Sequence, residues 1–456
     1  MTEPTTVPVL ESPKIHGQER ECGKENNRVR PQDRAIHEWY RFVLSYPPHL
    51  VRDYIERFDL SSNSCVLDPF CGTGTTLVEC KKLGINSVGL EANPMPWFAT
   101  QTKINWEPQP SVLLKHARTV AEAAEKALAK DGIDDIQGLP LFPREKSTGR
   151  LRELSEDANK LILTNSISPL PLHKTLILLD ALDEHNDDLL VAHEKLALAS
   201  AVVADISNLH FGPEVGVGTP KEDAAVVSCW LNRVGAIAHD LTHLPKRMFG
   251  HAHVFRADSR ATSSVLPPNS VDAVITSPPY PNEKDYTRTT RLESVLLGFV
   301  KTKDDVRAVK NDLVRSNTRS VYKSDDDHLL VEHHSEIRRI AEEIEARRIE
   351  LQKTSGFERL YARLTKLYFG GMHRHLADLR QVLKPGAQLA YVVGDQASYL
   401  RVMIRTGQLL ADIAASLGYE VSGIDLFRTR VATATGEQLR EEVVLLRWPG
   451  AERKRR

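Results

Sequence analysis

The sequence predicts an α/β fold, a mostly parallel sheet with a terminal antiparallel strand and helical insertions. Three patterns carry that expectation. An apolar run at 65–67 delivers the backbone to a turn with two glycines, and a helical pattern at 75–83 follows, as strand, loop and helix. A second strand-like run, Ser87-Val88-Gly89-Leu90, ends in Glu91 about one βαβ step later. Near the end of the chain a helix at 372–383, a Lys384-Pro385-Gly386 turn and a strand at 389–395 precede strand-like runs at 420–427 and 442–448, which read as the antiparallel pair.

Composition narrows the function classes. The chain has 456 residues and a formal net charge of −1, so nucleic-acid binding would have to rest on local patches and not on a bulk field. The five cysteines, Cys22, Cys65, Cys71, Cys80 and Cys229, form no C-x-x-C pair, which argues against a zinc site and a disulfide framework. With no apolar run of spanning length and a polar N-terminus, the expectation is a soluble, cytoplasmic protein with no membrane partner and no metal.

Along the chain, residues 1–34 are polar and aperiodic and are expected to be disordered or loosely attached. Aromatic residues appear at 35–42, and Pro47 and Pro48 open a helix with an apolar face of Leu50, Val51, Tyr54, Ile55 and Phe58. After Glu91, Trp97 and Phe98 read equally well as ligand-flanking aromatics or as core. Helical patterns at 111–130, 172–182, 189–206 and 224–244 mark a mostly helical insertion over 105–247, and the glycine-rich piece 212–220 reads as a plain loop. The βαβ rhythm resumes at 253–260. A second insertion over 301–370 contains a basic irregular piece, 310–323, which reads as a solvated loop or as a nucleic-acid contact. Its charged helix, 329–353, has an apolar seam of Ile337, Ile340, Ile344 and Leu351, and a largely helical stretch at 358–383 is expected to break or kink at Phe369-Gly370-Gly371.

Two turns carry the chemistry. In Asp68-Pro69-Phe70-Cys71-Gly72-Thr73-Gly74-Thr75-Thr76 the glycines permit positive φ and close approach of a ligand, and the N–H groups opening the next helix face whatever sits over the loop. The spacing is neither G-x-G-x-x-G nor a phosphate loop with Lys-Ser/Thr. It resembles the S-adenosylmethionine-binding loop of the amino-methyltransferases, D-P-F-x-G-x-G-T, at every fixed position. The resemblance implies a Rossmann-like methyltransferase sheet and a cofactor held by Asp68, Pro69, Phe70, Gly72, Gly74 and Thr75, with Glu91 on the ribose hydroxyls. It further implies that Tyr46, in the Pro-containing segment ahead of the loop, lies near the methionine end, and that Asp258 accepts from the adenine amine. Asp258 reads as well as an ordinary cap of the next turn. Cys71 is read as a packing residue.

The second turn, Ser277-Pro278-Pro279-Tyr280, ends a buried strand at 271–276. The prolines stiffen it, Ser277 Oγ and the Pro278 carbonyl are acceptors for an exocyclic amine, and Tyr280 offers a face for stacking. It resembles the S/D/N-P-P-Y motif of enzymes that methylate exocyclic or amide nitrogens. Ser in the first position is more usual for cytosine N4 than for adenine N6. The resemblance therefore implies a methyltransferase acting on a base flipped out of double-stranded DNA, in a restriction-modification or defence setting with a nuclease or other partner. Adenine N6, RNA or protein amide methylation, and a non-catalytic DNA-binding subunit stay open. The expected organisation is an N-terminal segment, 1–34; a cofactor-binding half, 35–104; the helical insertion, 105–247; a catalytic half, 248–300; the second insertion, 301–370; a C-terminal part of the core, 371–450; and a basic tail, 451–456.

Overall fold

The computed structural model describes residues 29–40, 45–135, 150–212, 214–245, 248–282, 284–431, 436 and 438–450. Helix α1 (Pro48–Arg57) starts with Pro at its first position, where the missing N–H has no partner to lose. Strand β1 (Cys65–Asp68), helix α2 (Thr75–Lys82), strand β2 (Asn86–Leu90) and helix α3 (Pro94–Lys103) follow. The chain then leaves the sheet for α4 (Pro110–Lys130), α5 (Glu156–Asn159), α6 (Pro169–Glu184), α7 (Val191–Ala201), a hairpin of β3 (Leu209–Phe211) and β4 (Val215–Val217), and α8 (Val226–Thr242). It returns with β5 (Ala252–Phe255) and β6 (Val271–Thr276). Helices α9 (Tyr286–Thr289), α10 (Arg291–Leu296), α11 (Lys303–Asn311), α12 (Ser335–Glu350) and α13 (Tyr361–Leu379) lead to β7 (Leu383–Gly394), α14 (Thr406–Ser416), β8 (Glu420–Val431) and β9 (Gln438–Arg447).

The seven-stranded sheet runs β5-β2-β1-β6-β7-β9-β8. Its first five strands are parallel, and β9 lies antiparallel to both neighbours, as the α/β expectation with a terminal antiparallel pair requires. Both faces of the central strands are covered, so β1, β6 and the middle of β7 are mostly apolar. Val66, Ala273, Ile275, Ala390, Val392, Val443 and Leu445 point to the α1 side. Leu67, Val274, Leu389, Tyr391, Val393, Val444 and Leu446 point to α13 and α14. Helices α4, α6, α7 and α8 form a separate layered core that also receives Trp39, Tyr40 and Met95. The N-terminal segment is thereby clamped. Asp240 of α8 accepts from the Ile36 N–H at 2.8 Å and from Trp39 Nε1 at 2.9 Å.

Several expectations change. Residues 1–28 and the basic tail lie outside the described residues, but 29–34 are held, because buried Asp33 pairs with Arg52 at 2.9 Å. Within 212–220, expected as a plain loop, Val215–Val217 forms β4 and pairs with β3 in a short hairpin, since three-residue strands are too short to show a period. Lys384-Pro385-Gly386 lies inside β7 as an irregularity, with Val271 opposite Leu383 and Ala273 opposite Gln388. Helix α13 runs unbroken through Gly370-Gly371. A Cβ on Gly370 would sit 1.9 Å from the Asp327 carbonyl oxygen, so that glycine serves close backbone approach and not a kink. The seam of α12 is Ile337, Ile340 and Ile344, whereas Leu351 is 42% exposed.

Candidate active site

Strands β1 and β6 are neighbours, with Val66 opposite Ala273 and Leu67 opposite Val274. The two informative turns therefore leave the same C-terminal edge of the sheet side by side, where open α/β sheets place their ligands. A cavity of about 310 Å³ covers that edge. Tyr46, Pro69, Phe70, Gly72, Thr75 and Glu91 line it from one side, and Ser277, Pro278, Pro279 and Tyr280 from the other.

Gly72 and Gly74 both have positive φ, +52° and +83°. A Cβ on Gly72 would meet nothing within 4 Å, so the wall is open there. One on Gly74 would lie 2.8 Å from Thr100 Cγ2. Thr100 Oγ1 donates to the Gly72 carbonyl at 2.7 Å and fixes the loop from behind. Glu91 is braced by the Gly72 N–H at 3.0 Å and the Asn93 N–H at 2.7 Å. Burial raises its carboxyl to about 7 in spite of those bonds.

Asp68 faces inward and is fully buried, outside the cavity wall. It accepts from Tyr46 Oη at 2.9 Å, Thr276 Oγ1 at 2.6 Å and the Phe70 N–H at 3.2 Å. Tyr46 Oη also bonds Thr76 Oγ1, which donates to the Ile275 carbonyl at 3.1 Å. Burial pushes the Asp68 carboxyl up while the hydroxyls pull it down. The network ties the first turn to the end of β6, one residue before Ser277, and so sets the spacing between the two turns. Cys71 is buried and its thiol is pushed up by burial, which suits packing.

Ser277 Oγ donates to the Val392 carbonyl at 3.1 Å and also interacts with the Tyr280 hydroxyl. Burial and nearby Glu441 push the Tyr280 phenol up, so it is neutral. Tyr286, pushed up to about 12 by burial, adds a second phenol to the wall.

Asp258 does not line the cavity, though its neighbours Ala257 and Ser259 do. Its carboxylate caps the following turn through the Arg260 N–H at 2.8 Å and receives the Arg260 guanidinium at 2.7 Å, the cap reading of that residue. Trp97 and Phe98 also lie outside the wall. Trp97 Nε1 donates to the Val254 carbonyl at 3.3 Å, and Phe98 packs on Phe299.

The sequence reading missed part of the wall. Lys310, Leu313, Val314, Ser316, Asn317 and Ser320 line the cavity, so the piece is not a solvated loop: Lys310, Val314, Ser316, Asn317 and Ser320 are buried. Arg315 closes it on itself, forking onto Asp325 at 3.0 and 2.8 Å and donating to the Leu313 carbonyl at 2.7 Å. A buried pair, Lys310 with Asp285 at 2.9 Å, joins it to the segment after Tyr280. Arg428, Arg430 and Glu441 arrive from the β8–β9 hairpin. No local motif marks these residues; only Arg and Lys amid Asn and Ser in an irregular stretch hinted at them. Among the described residues no cluster of His, Cys, Asp or Glu could hold a metal, and no helix is long and apolar enough to cross a membrane.

Residues 8–95, which contain the first turn, match a family model for N6/N4 methyltransferases described as DNA methylase. The chain is 25% identical over 435 residues to Type II methyltransferase M.BsoBI of Geobacillus stearothermophilus, covering 91% of this chain and 85% of that protein. It is 23% identical over 428 residues to Type II methyltransferase M.AvaI of Anabaena variabilis, covering 87% and 81%. A solved structure of TrmN from Thermus thermophilus aligns with 92% of this chain and 54% of its own, at 11% identity and a TM-score of 0.30, too loose a likeness to argue from. The family model thus matches the first part of the chain, and the two relatives are similar to most of it at 25% identity or less.

Proposed function

We propose that the chain transfers a methyl group from S-adenosylmethionine to the exocyclic N4 amine of a cytosine flipped out of double-stranded DNA, as the modification enzyme of a restriction-modification pair. The observation that carries this reading is that the glycine turn and the Ser-Pro-Pro-Tyr turn open into one cavity, with Asp68 at the end of β1 bonded to Thr276 at the end of β6.

The fit to the cofactor rests on the open wall at Gly72 and the braced carboxylate of Glu91. Gly72, Thr75, Phe70 and Tyr46 would hold it, with Glu91 on its ribose. When bound, it supplies a methyl group activated by a positively charged sulfur. The chain's own residues prepare the acceptor. Ser277 Oγ and the Pro278 carbonyl accept hydrogen bonds from the amine's N–H groups, which draws the nitrogen lone pair out of conjugation with the ring, and the nitrogen gives up one proton to solvent once it carries the methyl group. Tyr280 stacks on the base and excludes water. No side chain need form a covalent bond, so orientation and electrostatics supply the rate.

The test is expression in a methylation-free bacterial host, followed by genome sequencing that separates N4-methylcytosine from N6-methyladenine. Modified cytosine in one short motif supports the reading. Modified adenine overturns the choice of base, and an unmodified genome counts against DNA as the substrate. In the purified protein, Ser277→Ala and Tyr280→Ala should abolish transfer with cofactor affinity nearly unchanged.

A further inference from the structure

Among the described residues, several buried side-chain atoms lack a hydrogen-bond partner, and of these Asn317 Oδ1 is the one whose residue lines the cavity. Asn317 is 5% exposed. Its amide orientation follows from its neighbour: Nδ2 donates to the Lys284 carbonyl at 3.3 Å, so the end left over is the oxygen, an acceptor. The backbone is held as well. The Asn317 carbonyl accepts from the Ser320 N–H at 3.2 Å and from Ser320 Oγ at 2.8 Å, and the Tyr399 hydroxyl donates to the preceding Ser316 carbonyl at 3.3 Å. A fixed, buried and unpaired acceptor is a standing cost that a ligand's N–H would remove.

We propose that Asn317 Oδ1 accepts a hydrogen bond from an amino N–H of the molecule held in the cavity. The inference rests on the methyl-transfer reading above. Two donors share this chemistry, the exocyclic amine of the target base and the ammonium of S-adenosylmethionine. Position favours the amine. Asn317 is bonded to Lys284, four residues past Tyr280, and Lys284, Asp285 and Tyr286 continue the wall from the acceptor turn. Beside Ser277 Oγ and the Pro278 carbonyl, a third acceptor lets both N–H bonds keep partners as the nitrogen leaves the ring plane. It also penalises a base without an amine.

Two variants separate this from a structural role. Asn317→Asp keeps the oxygen acceptor but loses the donor to Lys284, whereas Asn317→Leu loses both. The measurements are kcat and KM on a duplex carrying the chain's own target site, binding to the same duplex with a target analogue lacking the exocyclic amine, and binding of S-adenosylmethionine alone. The expected result is a roughly three- to tenfold loss of kcat/KM for Asn317→Leu, the weight of one hydrogen bond, with Asn317→Asp within about twofold of the unaltered chain. The unaltered chain should favour the amine-bearing duplex by a similar factor, and Asn317→Leu should not. A loss confined to cofactor binding in Asn317→Leu supports the acceptor and names the ammonium as its donor. Equal losses in both variants assign Asn317 to bracing Lys284 and overturn the proposal, as does no loss in either. If the unaltered chain methylates no DNA, the methyl-transfer reading fails by itself; weaker cofactor binding in Asn317→Leu but not in Asn317→Asp then supports the acceptor through the ammonium, and unchanged binding in both overturns the proposal.

Discussion

Adding one methyl group to each of the two glycines of the first turn should produce opposite defects. In Gly74→Ala the new Cβ would sit 2.8 Å from Thr100 Cγ2 and 3.0 Å from its Oγ1, at φ +83°. Overpacking of this kind costs about 1–3 kcal/mol, and the left-handed backbone adds about 1–2 kcal/mol for a residue with a Cβ. The sum is a loss of about 2–5 kcal/mol, and Thr100 would also be pushed off the Gly72 carbonyl. In Gly72→Ala the backbone term is similar, but the methyl meets nothing within 4 Å, so the stability loss should stay at about 1–2 kcal/mol. That methyl would instead enter the cavity, and S-adenosylmethionine should bind more than tenfold more weakly, a change of about 1.4 kcal/mol or more. Denaturant unfolding without ligand and calorimetric titration with the cofactor separate the two effects. Unchanged affinity in Gly72→Ala, with a folded protein, would refute the assignment of the loop to the cofactor. A Gly74→Ala protein as stable as the original would refute the packing argument.

Burial raises the Glu293 carboxyl from 4.5 to about 7, with Tyr40 Oη donating to it. A raised acid stabilises the fold below its unfolded pKa, and that contribution disappears as pH climbs from about 4.5 through 7. Across this window the site should cost up to about 3 kcal/mol, so the denaturant midpoint should fall less between pH 5 and 8 in Glu293→Gln than in the original chain. Lys310 and Asp285 form a buried pair, in which burial raises the Asp285 carboxyl but Lys310 lowers it further, leaving it below its ordinary value. Lys310→Met leaves the buried carboxylate without its cation, with only the Thr287 and Arg288 donors on Oδ1, and should destabilise by about 3 kcal/mol in thermal unfolding. Lys310→Met with Asp285→Asn, which removes the charge and keeps the Oδ1 cap of α9, should recover much of that loss.

Local physics made the glycine turn, the Pro-Pro turn and α1 readable in the sequence. A backbone needing positive φ selects glycine, fixed φ selects proline, and a helix packed on a sheet shows its 3.6-residue period. The strands at 65–68 and 271–276 were equally plain, because burial on both faces favours mostly apolar runs. Asp68 was visible too, but its direction was not. An aspartate at a strand end can face a ligand or the core, and only the neighbouring strand, which brings Thr276, makes inward burial the better choice. Asp258 turned on the same kind of fact, with Arg260 reaching back to it.

By itself, then, the sequence determined the fold class, the two turns and the order in which they occur, since each of these follows from residues adjacent in the chain. Tertiary structure decided which turns share a cavity and what closes it. Lys310, Asn317, Arg428 and Glu441 reach the wall from segments far from either motif. Such convergence is set by sheet order and by pairing between distant side chains, which leave no periodic mark on any one stretch of sequence.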